Sequence, residues 1–272
     1  MLRKIPPFKA ARSTTLAAIF ALFTLFTLGA ATLPSPTDPA LNPSNRPNTA
    51  IIPAPQGPGM AGDFMQKHAA NVARAKQGGI DILFVGDSIT AGWSSGGDWG
   101  KAVWDKTYAQ YKTAIFAVGY NRTQHVLWQL QNGEGEGFQP KIVELLLGTN
   151  NLGPNTAAET IVGEKAVVDD LHKRFPDAKI LIVGIFPRGK PTDPVRKDVA
   201  TVNDALAKLA DDKSIYYIDI SKAYLNADGT VNDGMKKDML HPSAKGYQIW
   251  ADSTRDILDK LIKDTGITPK AK

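Results

Sequence analysis

The chain has 272 residues, 43% of them hydrophobic and 22% charged, which suits one domain with a full core and excludes a disordered polymer. It contains no cysteine, so disulfides, a thiol nucleophile, thiolate metal sites and cysteine lipidation are excluded. The formal charge is +5, but Arg3, Lys4, Lys9 and Arg12 supply all but about one unit of it, and no module of interleaved aromatic and basic residues supports nucleic-acid binding.

Those four basic residues precede an apolar run over 14–28 and the small residues Gly29, Ala30 and Ala31. This is the pattern of a secretory leader over 1–31, cut after Ala31. An uncleaved anchor is the alternative, but the run falls short of the roughly 20 residues a membrane span needs. The expected location is periplasmic or extracellular, with no stable membrane insertion after cleavage. Residues 32–60 are rich in Pro, Asn, Ser and Ala and read as an extended linker or a loosely docked arm. The main folded domain is expected over 61–272, beginning with a helix over 63–77.

A first strand is expected over 80–85, and Gly86-Asp87-Ser88 follows it directly. Ser88 then occupies a tight turn entering a helix, where it is either a nucleophile or an ordinary helix cap. A second strand over 113–118 leads into Gly119-Tyr120-Asn121 and a helix over 123–132. Asn121-Arg122-Thr123 is formally a glycosylation sequon, read here as a chance match because it faces the expected site. A third strand over 141–147 carries Glu144 inside an apolar run, with no evident partner. It ends in Gly148-Thr149-Asn150-Asn151, whose Asn150 amide is either an oxyanion donor or part of an Asx turn.

Helices over 157–175 and 195–211 alternate with strands over 179–186 and 214–220, and a last helix covers 243–263. Alternation of this kind predicts an α/β fold with a five-stranded parallel sheet covered on both faces. Sites in such sheets lie beyond the carboxyl ends of the strands. Just before the last helix, Asp238-Met239-Leu240-His241 offers an acid and a base three residues apart on one loop, the pairing a serine nucleophile requires. His68, His125 and His172 fall inside predicted helices and read as structural or exposed.

Four segments in this order, ILFVGDSITAGW (82–93), GYNRTQHVLWQL (119–130), GTNN (148–151) and DMLH (238–241), resemble the four blocks of SGNH or GDSL hydrolases. HVLWQLQNGE (125–134) and FPRG (186–189) are especially similar to the catalytic subunits of platelet-activating-factor acetylhydrolases. The resemblance implies a flavodoxin-like three-layer α/β/α sandwich and a serine esterase acting on short, acetyl-type esters. It implies a triad of Ser88, Asp238 and His241 and an oxyanion hole formed by the Ser88 N–H, the Tyr120 N–H and Asn150. Asp87, Gly119 and Asn121 are expected to contact substrate. The family usually has Gly at position 120 and Asp at position 121. No metal or organic cofactor is implied, and the substrate is expected to be a small-molecule or carbohydrate ester; oligomeric state is not legible. The rival readings are an O-acyltransferase using the same triad on a glycan, and a catalytically silent glycan-binding module. A nucleotide-binding domain is disfavoured by the lack of a glycine-rich phosphate loop.

Overall fold

Five short aliphatic runs form one parallel sheet: β1 (Ile82–Gly86), β2 (Thr113–Ala117), β3 (Ile142–Leu146), β4 (Lys179–Val183) and β5 (Ile215–Ile218), in the order β2-β1-β3-β4-β5. The computed structural model describes residues 46–60 and 62–271, and the expected leader lies outside the described residues. Every residue of β1 and β3 is buried, because a central parallel strand is covered on both faces and needs apolar side chains on both.

Successive side chains alternate between those faces. Leu83, Val85, Val143, Leu145, Ile180 and Ile182 pack into one core, against α1 (Phe64–Lys76), α4 (Thr123–Gln129), α5 (Ala157–Arg174) and α6 (Val195–Leu206). Ile82, Phe84, Ile142, Leu146, Leu181 and Val183 pack into the other, against α3 (Lys101–Thr107) and α7 (Ala244–Asp264). The expected three-layer architecture is the observed one. A four-residue helix, α2 (Ser88–Ala91), follows β1. Among the described residues no helix is long and apolar enough to cross a membrane.

Some expected boundaries move. No expected element corresponds to α3, whose 7 residues are too few to establish a helical period. The helix expected over 123–132 leaves regular geometry after Gln129 and continues as a wider turn to Glu134, where Gly133 takes φ 109°. The helix expected to reach 211 is α-helical only to Leu206.

For the Pro-rich stretch the structure decides between the two expected readings, linker and docked arm. Asn48 and Ala50 are buried, residues Thr49–Ile51 form a 3-10 turn, and the Thr123 hydroxyl donates to the Ala50 carbonyl at 2.6 Å. From Arg46 onward this segment is therefore an arm docked on the domain, and the folded unit extends upstream of residue 61.

Candidate active site

The chain order places the sheet's reversal at β1, whose neighbours β2 and β3 run to opposite sides. The crevice beyond the carboxyl ends of these strands is the expected site position. Gly86 ends β1 because a side chain there would run into the Thr90 hydroxyl and the Leu146 carbonyl. Asp87 then turns the chain: its Oδ1 accepts from the Ile89 N–H at 2.9 Å and caps α2. Ser88 is thereby the first residue of that helix, with its hydroxyl 2.9 Å from His241 Nε2.

His241 sits on the loop before α7, and Asp238 both builds that loop and orients the ring. Asp238 Oδ1 accepts from the N–H groups of Leu240 and His241, each at 3.0 Å. Its Oδ2 lies 2.8 Å from His241 Nδ1. The tight loop requires the left-handed conformation at Met239 (φ 53°), whose carbonyl accepts from the Gly189 N–H at 2.9 Å. Burial raises the Asp238 carboxyl, but hydrogen bonds from the His241 N–H, the His241 ring and the Leu240 N–H outweigh it and leave its pKa below the ordinary value. An ionised Asp238 fixes the imidazole with its proton on Nδ1, so that Nε2 faces Ser88 as an acceptor. Trp99 packs edge-on to the His241 ring with centroids 5.5 Å apart, and the Lys236 ammonium lies 3.2 Å above the Trp99 ring.

The turn after β2 is closed by the Asn121 N–H donating to the Val118 carbonyl at 3.1 Å, with Tyr120 at φ 60°. The Tyr120 side chain is 60% exposed, so it stands at the rim rather than filling a closed acyl pocket. Asn150, on the turn after β3, donates from Nδ2 to the Asn121 carbonyl at 3.0 Å and approaches Asp87 Oδ2 at 3.4 Å. The structure thus brings together Ser88, His241 and Asp238, and sets Tyr120 and Asn150 on the two turns flanking the β1 end.

Two of the expected substrate contacts are corrected. Asp87 and Asn121 are both 0% exposed, so neither meets substrate from this position. Asp87 serves as the helix cap described above. Asn121 donates from Nδ2 to the Gly86 carbonyl at 3.0 Å and to Gln129 Oε1 at 2.8 Å, and its Oδ1 accepts from Gln56 Nε2 at 2.9 Å. The same burial rules out glycosylation of the sequon. Gly119 is half-buried and its carbonyl accepts from Gln56 Nε2 at 2.8 Å.

Sequence reading missed the polar groups behind these turns. Gln129 donates to Glu134 at 2.9 Å, and Glu134 also takes His68 Nδ1 at 2.7 Å and the Asn71 amide at 3.1 Å. His68 is therefore structural, as expected. So is His125, which burial and the neighbouring Arg122 hold down at about 4; its neutral Nδ1 accepts from the Arg122 N–H. Gln129 and Glu134 were visible only as part of the quoted HVLWQLQNGE segment. Beneath the site, burial pushes Asp87 up to about 7, against the pull of the Ile89 N–H and Arg188. Burial and the adjacent Asp87 raise Glu164 to about 8. Among the described residues no cluster of acidic and histidine side chains is arranged to hold a metal.

The GDSL-like Lipase/Acylhydrolase family matches residues 84–249. The chain belongs to this family. It is 32% identical over 224 residues to the human platelet-activating factor acetylhydrolase IB subunit alpha1, covering 80% of this chain and 93% of the human one. A lipolytic G-D-S-L family protein from Veillonella parvula superposes with a TM-score of 0.56 at 17% identity, covering 66% of this chain and 99% of that one. A carbohydrate esterase family 3 structure from Talaromyces cellulolyticus does so with a TM-score of 0.51 at 21% identity, covering 68% and 99%. The chain is a carboxylic ester hydrolase of the GDSL type.

Proposed function

We propose that this hydrolase cleaves short-chain esters, acetyl esters foremost, by two-step acyl transfer through Ser88, His241 and Asp238. The observation that carries the reading is the continuous chain from the Ser88 hydroxyl through both ring nitrogens of His241 to Asp238, at 2.9 and 2.8 Å. His241 Nε2 takes the Ser88 proton as Oγ attacks the ester carbonyl, and returns it to the departing alcohol. Asp238 stabilises the imidazolium formed in between. The oxyanion is met by the Ser88 and Tyr120 N–H groups and by Asn150, whose second amide hydrogen is only loosely engaged by Asp87 at 3.4 Å. Among the described residues neither of those two N–H groups donates to a backbone acceptor. Water, activated by the same His241, then releases the acid and regenerates Ser88.

The acetyl preference draws on the likeness to the platelet-activating factor acetylhydrolase subunits, and export on the leader pattern of residues 1–31. The test is a chain-length series of p-nitrophenyl esters with the purified protein, scored for acid released without an added acceptor, beside Ser88→Ala. The proposal expects acetyl turnover that Ser88→Ala lowers by several orders of magnitude. Turnover unaltered by Ser88→Ala refutes the nucleophile, and acid release only in the presence of a sugar acceptor makes the protein a transferase.

A further inference from the structure

The docked arm crosses the loops that follow β2 and β3. Arg46 pairs with Glu159 at 2.7 Å, Asn155 donates to the Thr49 hydroxyl at 2.9 Å, and the Ala54 N–H donates to the Gln124 carbonyl at 3.2 Å. At its far end the single amide of Gln56 donates to the Gly119 carbonyl at 2.8 Å and to Asn121 Oδ1 at 2.9 Å. Gln56 therefore brackets Tyr120, holding the residue before it and the residue after it.

The Gly119 carbonyl and the Tyr120 N–H belong to one planar peptide group and point in opposite directions. Whatever fixes that carbonyl also aims that N–H. Residues 118–121 form a turn closed by Asn121 N–H to Val118 C=O, with positive φ at its third residue, Tyr120, and not at its second, Gly119. That combination is the type II turn, which favours glycine at the third position. Rotating the central peptide gives a type I turn with the same closing hydrogen bond, and it is the better conformer for a non-glycine residue. The rotation would turn the Tyr120 N–H away and present the Gly119 carbonyl where the N–H had been.

We propose that Gln56 is a positioning residue that latches the Gly119–Tyr120 peptide in the orientation directing the Tyr120 N–H to the oxyanion site. The latch offsets the aversion of Tyr120 to its left-handed conformation. This rests on the proposed role of the Tyr120 N–H as an oxyanion donor. Asn121 completes the device, because its side chain is tied to the β1 end through the Gly86 carbonyl and to Gln129, while its own carbonyl holds Asn150. One amide on the arm thus sets a turn that also anchors the side-chain donor, Asn150.

The test compares Gln56→Ala and the near-isosteric Gln56→Met, each in the parent and in a Tyr120→Gly background, with p-nitrophenyl acetate as substrate. In the parent background, loss of the latch should lower kcat roughly tenfold, the population penalty of a non-glycine residue in the left-handed region. KM should stay within about twofold, because the N–H acts on charge that appears in the transition state. In the Tyr120→Gly background the type II turn holds itself, and the same Gln56 substitutions should lower kcat less than about threefold. A merely structural arm would give equal losses in the two backgrounds. Unchanged kcat in both Gln56 variants, or a loss that Tyr120→Gly does not reduce, overturns the proposal. Ser88→Ala is assayed in parallel: if it retains turnover, the hydrolytic mechanism itself is wrong, whereas an inactive Ser88→Ala beside a fully active Gln56→Ala removes only the latch.

Discussion

Glu144→Gln isolates the least comfortable group in the core. Glu144 lies at the centre of β3, opposite Phe84 of β1 and Leu181 of β4, and is 1% exposed. Neither carboxylate oxygen has a hydrogen-bond partner of good geometry among the described residues, and the nearby Trp250 indole N–H engages the carboxyl only weakly. Burial pushes the group up from 4.5 to about 8, opposed only in part by Trp250. A carboxyl raised on folding holds a proton that the unfolded chain releases, so its contribution is fully present below about 4.5 and is lost as pH rises through about 8. One pKa unit corresponds to about 1.4 kcal/mol, so the contribution declines by roughly 4 kcal/mol between pH 5 and pH 8. Glutamine has nearly the same shape and cannot ionise. The stability of Glu144→Gln relative to the parent should therefore rise by roughly 4 kcal/mol from pH 5 to pH 8, read from urea denaturation at both values. Asp87 and Glu164 are raised too and slope the same way, but they are common to both proteins and cancel in the difference. A difference that stays constant within about 1 kcal/mol would show that the Glu144 carboxylate has a satisfying partner when charged, and the reasoning from burial would be wrong.

Asn150→Ala should lower kcat by about a hundredfold or more with little change in KM, since its amide addresses the transition-state oxyanion; a pure KM effect would make it a substrate-binding residue. Asp238→Asn should lower kcat by roughly a thousandfold or more by favouring the wrong His241 tautomer, and a small effect would mean that the loop alone orients the ring. Tyr120→Gly should stabilise the fold by about 1 kcal/mol in thermal unfolding, less the extra freedom of glycine in the unfolded chain; a clear loss of stability would deny strain at that residue. Gly163→Ala should destabilise by about 1–3 kcal/mol, because its Cβ would press on the Thr123 hydroxyl and on Ala50 of the arm. The same variant should make the arm more susceptible to limited proteolysis, and unchanged protection would show that the arm does not depend on this contact.

The sheet was legible because a buried parallel strand must be apolar along its whole length, and five such runs separated by amphipathic stretches allow few arrangements. The site was legible for a related reason. Ser88, Tyr120 and Asn150 each follow a strand, and Asp238 and His241 share a loop before the last helix, so strand ends drew attention to these segments, while the resemblance to the SGNH blocks supplied the roles. Burial was harder to read. Asp87 and Asn121 carry groups typical of substrate contacts, yet each turns inward to satisfy backbone at the end of β1, and sequence alone does not tell a polar side chain that faces a ligand from one that faces a turn.

The arm shows what local patterning leaves open. Its Pro, Asn and Ser residues lack any apolar period because its affinity for the domain comes from hydrogen bonds to loop carbonyls and side chains rather than from a buried stripe. The donor that matters most, Gln56, is 63 and 65 residues from the two groups it holds. Tyr120 is the counterpart of that omission. Its departure from the family's usual glycine suggests a side-chain role in the acyl pocket, but an exposed side chain at φ 60° shifts the question to the backbone. A glycine would adopt that turn unaided; a tyrosine needs something to keep it there. In this chain the residue that strains the turn and the amide that restrains it come from opposite ends of a long stretch of sequence, and only folding makes them one device.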